Sequence, residues 1–215
     1  MSEIDAPADG PSPPARRRAP TRRLKETPLT EADWIEAATA ILVDEDENVR
    51  GIRIAALCRR LGVTKGSFYW HFAGRPQLLA ALLANWRRRM TTAVIEGLGA
   101  RSGGAAARLR ALLELPRRPR APAFARVEQS IRDWSRRDAR AAEAVREVDA
   151  IRLAYFEGLL REAGLDAETA RRRAYLAYAM MMGDSVLRRT LEAEGADAAV
   201  IDEVTALLTR PADRG

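Results

Sequence analysis

A cluster of polar and aromatic residues between positions 64 and 71 offers the clearest chemistry in the chain. It starts with small and basic residues and continues with aromatic and hydrogen-bonding ones: Thr64, Lys65, Gly66, Ser67, Tyr69, Trp70 and His71. The first of these suit a helix N-terminus, where free backbone N–H groups point outward and attract phosphate. A protein core needs apolar residues but not this alternation of aromatic and hydrogen-bonding groups. The pattern therefore indicates contact with a nucleic acid.

Catalysis has little support in the sequence. His71 is the only histidine and lies inside this cluster, and the only cysteine, Cys58, has no other histidine to pair with. We find no P-loop, no dinucleotide-type glycine pattern and no Cys/His cluster for zinc. We therefore predict that the protein is not an enzyme and has no catalytic residues, cofactor or metal, with carboxylate-only catalysis formally open.

The residues before the cluster predict a helix-turn-helix. Residues 54–61 have helical apolar spacing, and Gly62 follows as a stop that can take the left-handed conformation. We expect the Thr64 hydroxyl to cap the second helix, while the small Cys58 lets the two helices cross closely. The second helix would then lie in a major groove. The alternative is a buried helical hairpin, a common pattern in all-α proteins.

Charge favours the DNA interpretation. Residues 50–75 contain six Arg or Lys residues and no Asp or Glu, and the whole chain has a net charge of +6. Nucleic acid is a better partner than a membrane, because no stretch approaches the ~20 apolar residues of a spanning helix. With one cysteine and no secretory segment, a reducing cytoplasm is the expected compartment.

The run GVTKGSFYWHFAGRPQLL resembles the end of the DNA-binding domain of TetR-type (tetracycline-repressor-like) transcriptional regulators. The resemblance is specific over residues 30–83 and looser beyond them. It implies that residues 64–70 form the recognition helix and that Arg75 replaces a phosphate-binding lysine. Arg53 stands where the family often has a capping Ser or Thr, and it could instead reach a phosphate. The implied DNA-contacting set is Arg53, Thr64, Lys65, Gly66, Ser67, Tyr69, Trp70, His71 and Arg75.

Three segments are predicted. Residues 1–28 form a disordered, basic and proline-rich arm, which either follows DNA or is a solvated tail. Residues 29–76 form the helix-turn-helix domain, whose first helix starts at a Thr30–Asp33 capping box and buries Trp34. Residues 77–215 form a helical regulatory and dimerisation domain. Because no strand-like alternation occurs, the fold class is all-α.

The helical domain should open with a long helix running from Arg75 through Val94 to a glycine-rich break. Further helices are expected near residues 105–115, 124–137, 139–163, 166–194 and 196–209. The resemblance implies that the last two meet their copies in a four-helix dimer contact. Their apolar residues are Tyr175, Leu176, Tyr178, Ala179, Met182, Val186, Leu187, Val200, Val204, Leu207 and Leu208.

A ligand site is less clear. Candidate lining residues are Phe124, Trp134, Tyr155 and Met181, with Phe156, Met180 and Met182 beside them. These side chains equally suit a filled core. Four charged residues on the same helices either orient a ligand or form surface ion pairs: Arg132, Asp133, Arg152 and Asp184.

The resulting hypothesis is a homodimeric TetR-type regulator that binds a near-palindromic operator and is released from it by a small-molecule effector. Repression is the outcome that the resemblance implies. The alternatives are an effector-independent regulator and a helical protein-interaction module, and the module predicts little salt-dependent DNA binding.

Overall fold

The computed structural model describes residues 28–44, 48–188 and 198–211. Ten α-helices lie within these ranges, and no strand occurs there. They are α1 (Glu31–Val43), α2 (Ile54–Leu61), α3 (Lys65–Tyr69), α4 (Arg75–Arg87), α5 (Ala93–Gly99), α6 (Ala105–Leu113), α7 (Ala121–Ser135), α8 (Ala139–Glu162), α9 (Ala167–Leu187) and α10 (Ala198–Thr209). The all-α prediction is confirmed.

Several helix boundaries follow from their local sequence. Thr30 and Asp33 form the predicted capping box at α1. Gly62 closes α2 at a φ of 73°, a left-handed conformation that favours glycine. Asp138 and Asp166 cap α8 and α9 by accepting backbone N–H groups. These ends were predictable because each depends on one or two neighbouring side chains.

Other boundaries differ from the expectations. A π-helical turn, Arg88–Thr92, interrupts the predicted long helix between α4 and α5. Helix α7 starts at Ala121, earlier than predicted, and a 3-10 turn, Leu115–Arg117, follows α6. The predicted arm up to residue 27, residues 45–47 and the predicted end of α9 lie outside the described residues.

Two apolar clusters form the core. The first joins α1 to α4 with one end of α7 and α8, and its largest side chains include Trp34, Phe68, Phe72 and Trp86. The second joins α5, α6 and α10 with the other part of α8 and α9 around Phe156. Because α4 buries its apolar face in the first cluster, this helix carries the helix-turn-helix directly on the helical domain.

Polar contacts also attach α1 to α7. The Ser130 hydroxyl donates to the Leu42 carbonyl at 3.2 Å, and Arg126 Nη1 donates to the Val43 carbonyl at 3.3 Å. The last carbonyls of a helix lack partners within that helix. Helix α7 therefore supplies donors to the C-terminus of α1.

No helix among the described residues is both long enough and apolar enough to span a membrane.

Candidate DNA-binding surface and ligand cavity

Phe68 anchors the short helix α3. Its side chain is fully buried, and its ring lies 5.3 Å from Trp34 in an edge-to-face arrangement and 5.6 Å from Phe72. An isolated helix as short as Lys65–Tyr69 would not be stable in water. The buried ring therefore fixes which face of α3 points outward.

The outward face of α3 carries the residues that the sequence singled out. Lys65 and Gly66 are exposed, Tyr69 is 57% exposed and Trp70 is 89% exposed. Burying such large aromatic side chains is favourable, so their exposure indicates a surface that binds a partner.

The surrounding surface is basic. Five of the six basic residues between positions 50 and 75 are exposed: Arg50, Arg53, Arg59, Arg60 and Lys65. The one-signed field predicted from sequence is thus presented to solvent around α2 and α3.

Arg75 is placed differently from the phosphate-contacting role expected of it. Its Nε donates to the Ile52 carbonyl at 2.6 Å, and its Nη2 donates to the Val49 carbonyl at 2.7 Å. These bonds tie the start of α4 to the turn before α2. The described part of the structure therefore gives this guanidinium a bracing role within the domain.

Three further expectations on the motif have mixed outcomes. Thr64 occupies the N-cap position of α3, but the hydroxyl cap predicted for it is absent there, so that detail was wrong. Arg53 stands at the N-cap of α2 without a side-chain cap, as the sequence suggested. His71 is half-buried, with its ring 6.3 Å from that of Trp34.

Burial raises the pKa of the Cys58 thiol, which disfavours the nucleophilic thiolate.

A cavity of about 200 Å³ opens between the π-helical turn and helices α6 to α9. Phe124, Tyr155 and Met181 line it, as the sequence analysis expected. Trp134 does not line it: this side chain packs against the first apolar cluster, because it lies near the opposite end of α7. Most of the lining is apolar, and one wall belongs to the turn that follows α4.

A buried ion pair at the inner end of the cavity was missed by the sequence analysis. Arg152 donates from both Nη atoms to the two Glu128 carboxylate oxygens, each at 3.1 Å. Arg152 Nε donates to Thr91 Oγ1 at 3.1 Å and its Nη2 to the Met90 carbonyl at 3.2 Å. Glu128 also accepts from Trp86 Nε1 at 3.2 Å. This pair thus connects α7 and α8 to the π-helical turn and to the end of α4.

The polar network continues through Tyr178. Its hydroxyl donates to Asp149 Oδ1 at 2.6 Å and accepts from Arg152 and Arg132 at 3.2 and 3.1 Å. Burial, reinforced by the bond to Asp149, raises the pKa of Tyr178 to about 12. Tyr178 was expected at a dimer interface and is instead buried, because its hydroxyl completes this network.

The other charged residues that were considered for orienting a ligand form either partly buried or exposed ion pairs. Arg132 binds both Asp149 oxygens, at 3.0 and 2.5 Å, and Asp184 pairs with Arg117 at 3.3 Å. Asp133 is exposed and lies 3.9 Å from Arg136. Only Arg152 lines the cavity among the four that were singled out.

Helices α9 and α10 expose part of the predicted interface. The exposed apolar side chains are Tyr175, Leu176, Val186, Leu187, Val200 and Leu207. Leu208, like Tyr178, is buried in the second cluster and cannot contribute. Arg173 Nη1 donates to the Leu208 carbonyl at 2.9 Å, which holds the two helices together.

Comparisons with known proteins agree with this geometry. Residues 36–82 match the sequence model described as bacterial regulatory proteins, tetR family. No curated protein matches the chain.

Several solved structures share the fold. A putative TetR-family regulator from Rhodococcus sp. is 21% identical with a TM-score of 0.63, covering 84% of this chain and 99% of its own. The regulator FadR from Bacillus subtilis in complex with stearoyl-CoA is 17% identical, with coverages of 84% and 98% and a TM-score of 0.62. A putative regulator from Saccharomonospora viridis in complex with choline is 15% identical, with coverages of 83% and 92% and a TM-score of 0.64.

The described residues thus form a helix-turn-helix with an exposed basic face, carried on an all-helical domain. Residues 36–82 are thus similar to the tetR family of bacterial regulatory proteins, and 84% of the chain shares the fold of a putative TetR-family regulator.

Proposed function

We propose that the protein is a homodimeric repressor that binds a near-palindromic operator and leaves it when a small molecule fills the cavity. Residues 29–76 read the DNA, and residues 77–215 dimerise and bind the effector. The observation that carries the proposal is helix α3, which turns Lys65, Tyr69 and Trp70 outward while Phe68 holds its inner face.

Gly66 supports the assignment of α3 to DNA. A Cβ at this position would meet only Thr64 Oγ1, at an ordinary 3.6 Å, so the fold itself does not require glycine there. Glycine within a helix costs about 0.5–1 kcal/mol relative to alanine. Close approach of a DNA backbone explains a glycine that the protein's own packing does not. The proposed contacts are Arg53, Thr64, Lys65, Gly66, Ser67, Tyr69, Trp70 and His71, with Arg75 bracing them.

The dimer is proposed from the exposed apolar face of α9 and α10. Tyr175 and Leu176 are 65% and 59% exposed on one helix, and Leu207 is 50% exposed on the other. A two-fold pairing of this face buries it and presents two copies of α3 to half-sites about 34–36 Å apart. One such module alone binds DNA weakly, so the dimer provides the affinity.

Effector control is proposed from the position of the cavity. One of its walls is the π-helical turn, which continues directly from α4, and Arg152 is bonded to Thr91 and Met90 in that turn. A ligand that changes the packing of this wall would shift α4, which lies in the core of the DNA-binding helices. Two structural neighbours were solved in complex with choline and with stearoyl-CoA, which supports a small-molecule ligand for this chain.

The test is selection of fragments from the source genome by the purified protein at physiological salt, with two charge-reversed variants. Lys65→Glu changes the exposed start of α3. Arg161→Glu is the matched control on α8, also exposed and outside the apolar face of α9 and α10. We expect the wild type and the control to enrich the same two-fold-symmetric site, and Lys65→Glu to enrich none.

Repression is tested by placing that site between a promoter and a reporter gene. Lower reporter output with the wild-type protein than with Lys65→Glu would establish that the protein represses transcription from that site. Equal enrichment of all sequences by Lys65→Glu and the control would instead contradict the placement of the recognition helix.

A further inference from the structure

The apolar cavity continues into a second groove with a different character. Arg89, Val94, Leu115 and Arg118 border both, and the second groove, of about 310 Å³, reaches Arg101 at the end of α5. The combined space therefore runs from the buried Arg152–Glu128 pair, past apolar side chains, to three arginines at the surface.

The three arginines share one entrance, and none of them has a carboxylate partner among the described residues. Arg89, Arg101 and Arg118 are exposed, and within the described residues none of their guanidinium groups forms an ion pair or a side-chain hydrogen bond. Other arginines of the same domain are paired, for example Arg87 with Glu147 and Arg108 with Glu162. The groove lining contains no acidic residue at all.

The only acidic residue in the cavity lining does not offset this charge. Glu128 is already bound by Arg152 and by Arg132, whose Nε lies 2.9 Å from Oε1. Its negative charge is therefore neutralised within the wall. A ligand in the combined space meets an apolar interior and a positively charged entrance.

We propose that the effector is an amphipathic anion, with an apolar chain in the cavity and an anionic head group on Arg89, Arg101 and Arg118. Arginine forms bidentate hydrogen bonds with carboxylate and phosphate oxygens, which gives the entrance its preference for such head groups. A cavity of about 200 Å³ exceeds the ~150 Å³ apolar cavity that accommodates benzene. A cationic head group would meet three positive charges and no available acid.

Two sources share this chemistry: a free carboxylic acid and an acyl thioester of a phosphate-bearing carrier. The experiment is isothermal titration of the full-length protein, without DNA and below micelle-forming concentrations. The ligands share one chain and differ in charge: dodecanoate, dodecanoyl-coenzyme A and dodecanoylcholine, with coenzyme A alone as a chain-free control. We expect the anions to bind and the choline ester not to bind. The tighter of the two anions identifies the source.

Charge-reversed variants assign the binding to the entrance. Arg101→Glu and Arg118→Glu should each weaken binding of the anions about tenfold or more. Arg161→Glu is the matched control, because Arg161 is exposed on α8 and lines neither space. Ala125→Phe, which fills the cavity, should weaken every ligand that carries the chain.

Three results would overturn the inference: equal binding of the choline ester, unchanged affinity in both entrance variants, or no binding by either anion. The effector role rests on the proposed function, and DNA release is therefore measured separately by fluorescence anisotropy with the selected operator. Anion binding without DNA release supports the site and contradicts the release mechanism. DNA release by the choline ester but by neither anion would support the release mechanism and contradict the anion site.

Discussion

At the scale of single residues, the hydroxyl of Tyr178 is the most constrained group of the polar network. Folding removes it from water and gives it an acidic acceptor, Asp149, at 2.6 Å. Ionising this hydroxyl would place a second negative charge beside that carboxylate in a buried site. The phenol is thus held in its neutral form well above ordinary pH.

A pH titration of tyrosine absorbance checks this environment. The unfolded pKa of tyrosine is about 10 and that of Tyr178 in the fold is about 12. Its contribution to stability is therefore complete below pH ~10 and is lost as the pH rises through the folded value. We expect a late ionisation step near pH 12 in the folded protein, which Tyr178→Phe removes.

The exposed Tyr175 provides the control for that titration. Tyr175→Phe removes one tyrosine from the same helix and should leave the late step in place. A late step that survives in Tyr178→Phe would show that another group is responsible.

Residue roles were predictable where they depend on neighbours in sequence. The outward set on α3 follows from one apolar residue, Phe68, among polar ones. The Glu128–Arg152 pair could not be predicted, because its members lie 24 positions apart and meet only when α7 and α8 pack. The internal bonds of Arg75 could not be predicted for the same reason, since its acceptors are carbonyls more than twenty positions earlier.

At the scale of secondary structure, α3 is a short helix whose position depends on one side chain. Its five residues form too few hydrogen bonds to be stable alone, and Phe68 supplies the tertiary contact. The adjacent Trp70 contributes little to the core because it is almost fully exposed.

Two alanine substitutions separate the structural and the binding roles of α3. Phe68→Ala should lower the free energy of unfolding by about 3–5 kcal/mol, because it empties a fully buried site. Trp70→Ala should change it by less than about 0.5 kcal/mol while weakening DNA binding. Chemical denaturation and operator titration measure the two effects. A large loss of stability in Trp70→Ala would contradict the assigned exposure.

Helix ends were predicted well where a cap or a left-handed glycine marks them, as at Thr30 and Gly62. The π-helical turn was not predicted. Apolar residues continue through it at nearly helical spacing, and an extra residue in a single turn leaves no local signal as strong as glycine or proline.

At the scale of the whole molecule, the two apolar clusters leave one large apolar surface uncovered on α9 and α10. Its exposed residues belong to two helices that Arg173 holds together. Such a surface is typical of a subunit interface.

Leu176→Glu should therefore dissociate the proposed dimer. A buried, unpaired carboxylate is costly, and sedimentation should show a monomer at concentrations where the wild type is dimeric. Affinity for the full operator should fall steeply, and affinity for a single half-site should not change.

Ile151→Glu is the matched control, because Ile151 is a partly exposed apolar residue on α8, outside this surface. It should remain dimeric. A dimeric Leu176→Glu protein would place the interface elsewhere on the molecule.

The sequence predicted the fold class and the similarity to the tetR family at this scale, because amphipathic periodicity and the motif of residues 64–72 are local patterns. The extent of the dimer surface was overestimated. Tyr178 and Leu208 share its spacing but face inward, and helical periodicity alone does not say which apolar stripe meets the protein's own core.

The π-helical turn at Arg88–Thr92 forms one wall of the cavity and also fixes the rotation of α4 relative to α5 about the helix axis. Each residue of an α-helix advances the chain by about 100° around the helix axis. One additional residue in the turn therefore rotates the helices before it by about that angle relative to α5 and the helices after it. The orientation of the DNA-reading helices about the axis of α4 therefore depends on the number of residues in that turn. Removing one of them would therefore set that orientation against the packing of α4 on α7 and α8 in the first apolar cluster.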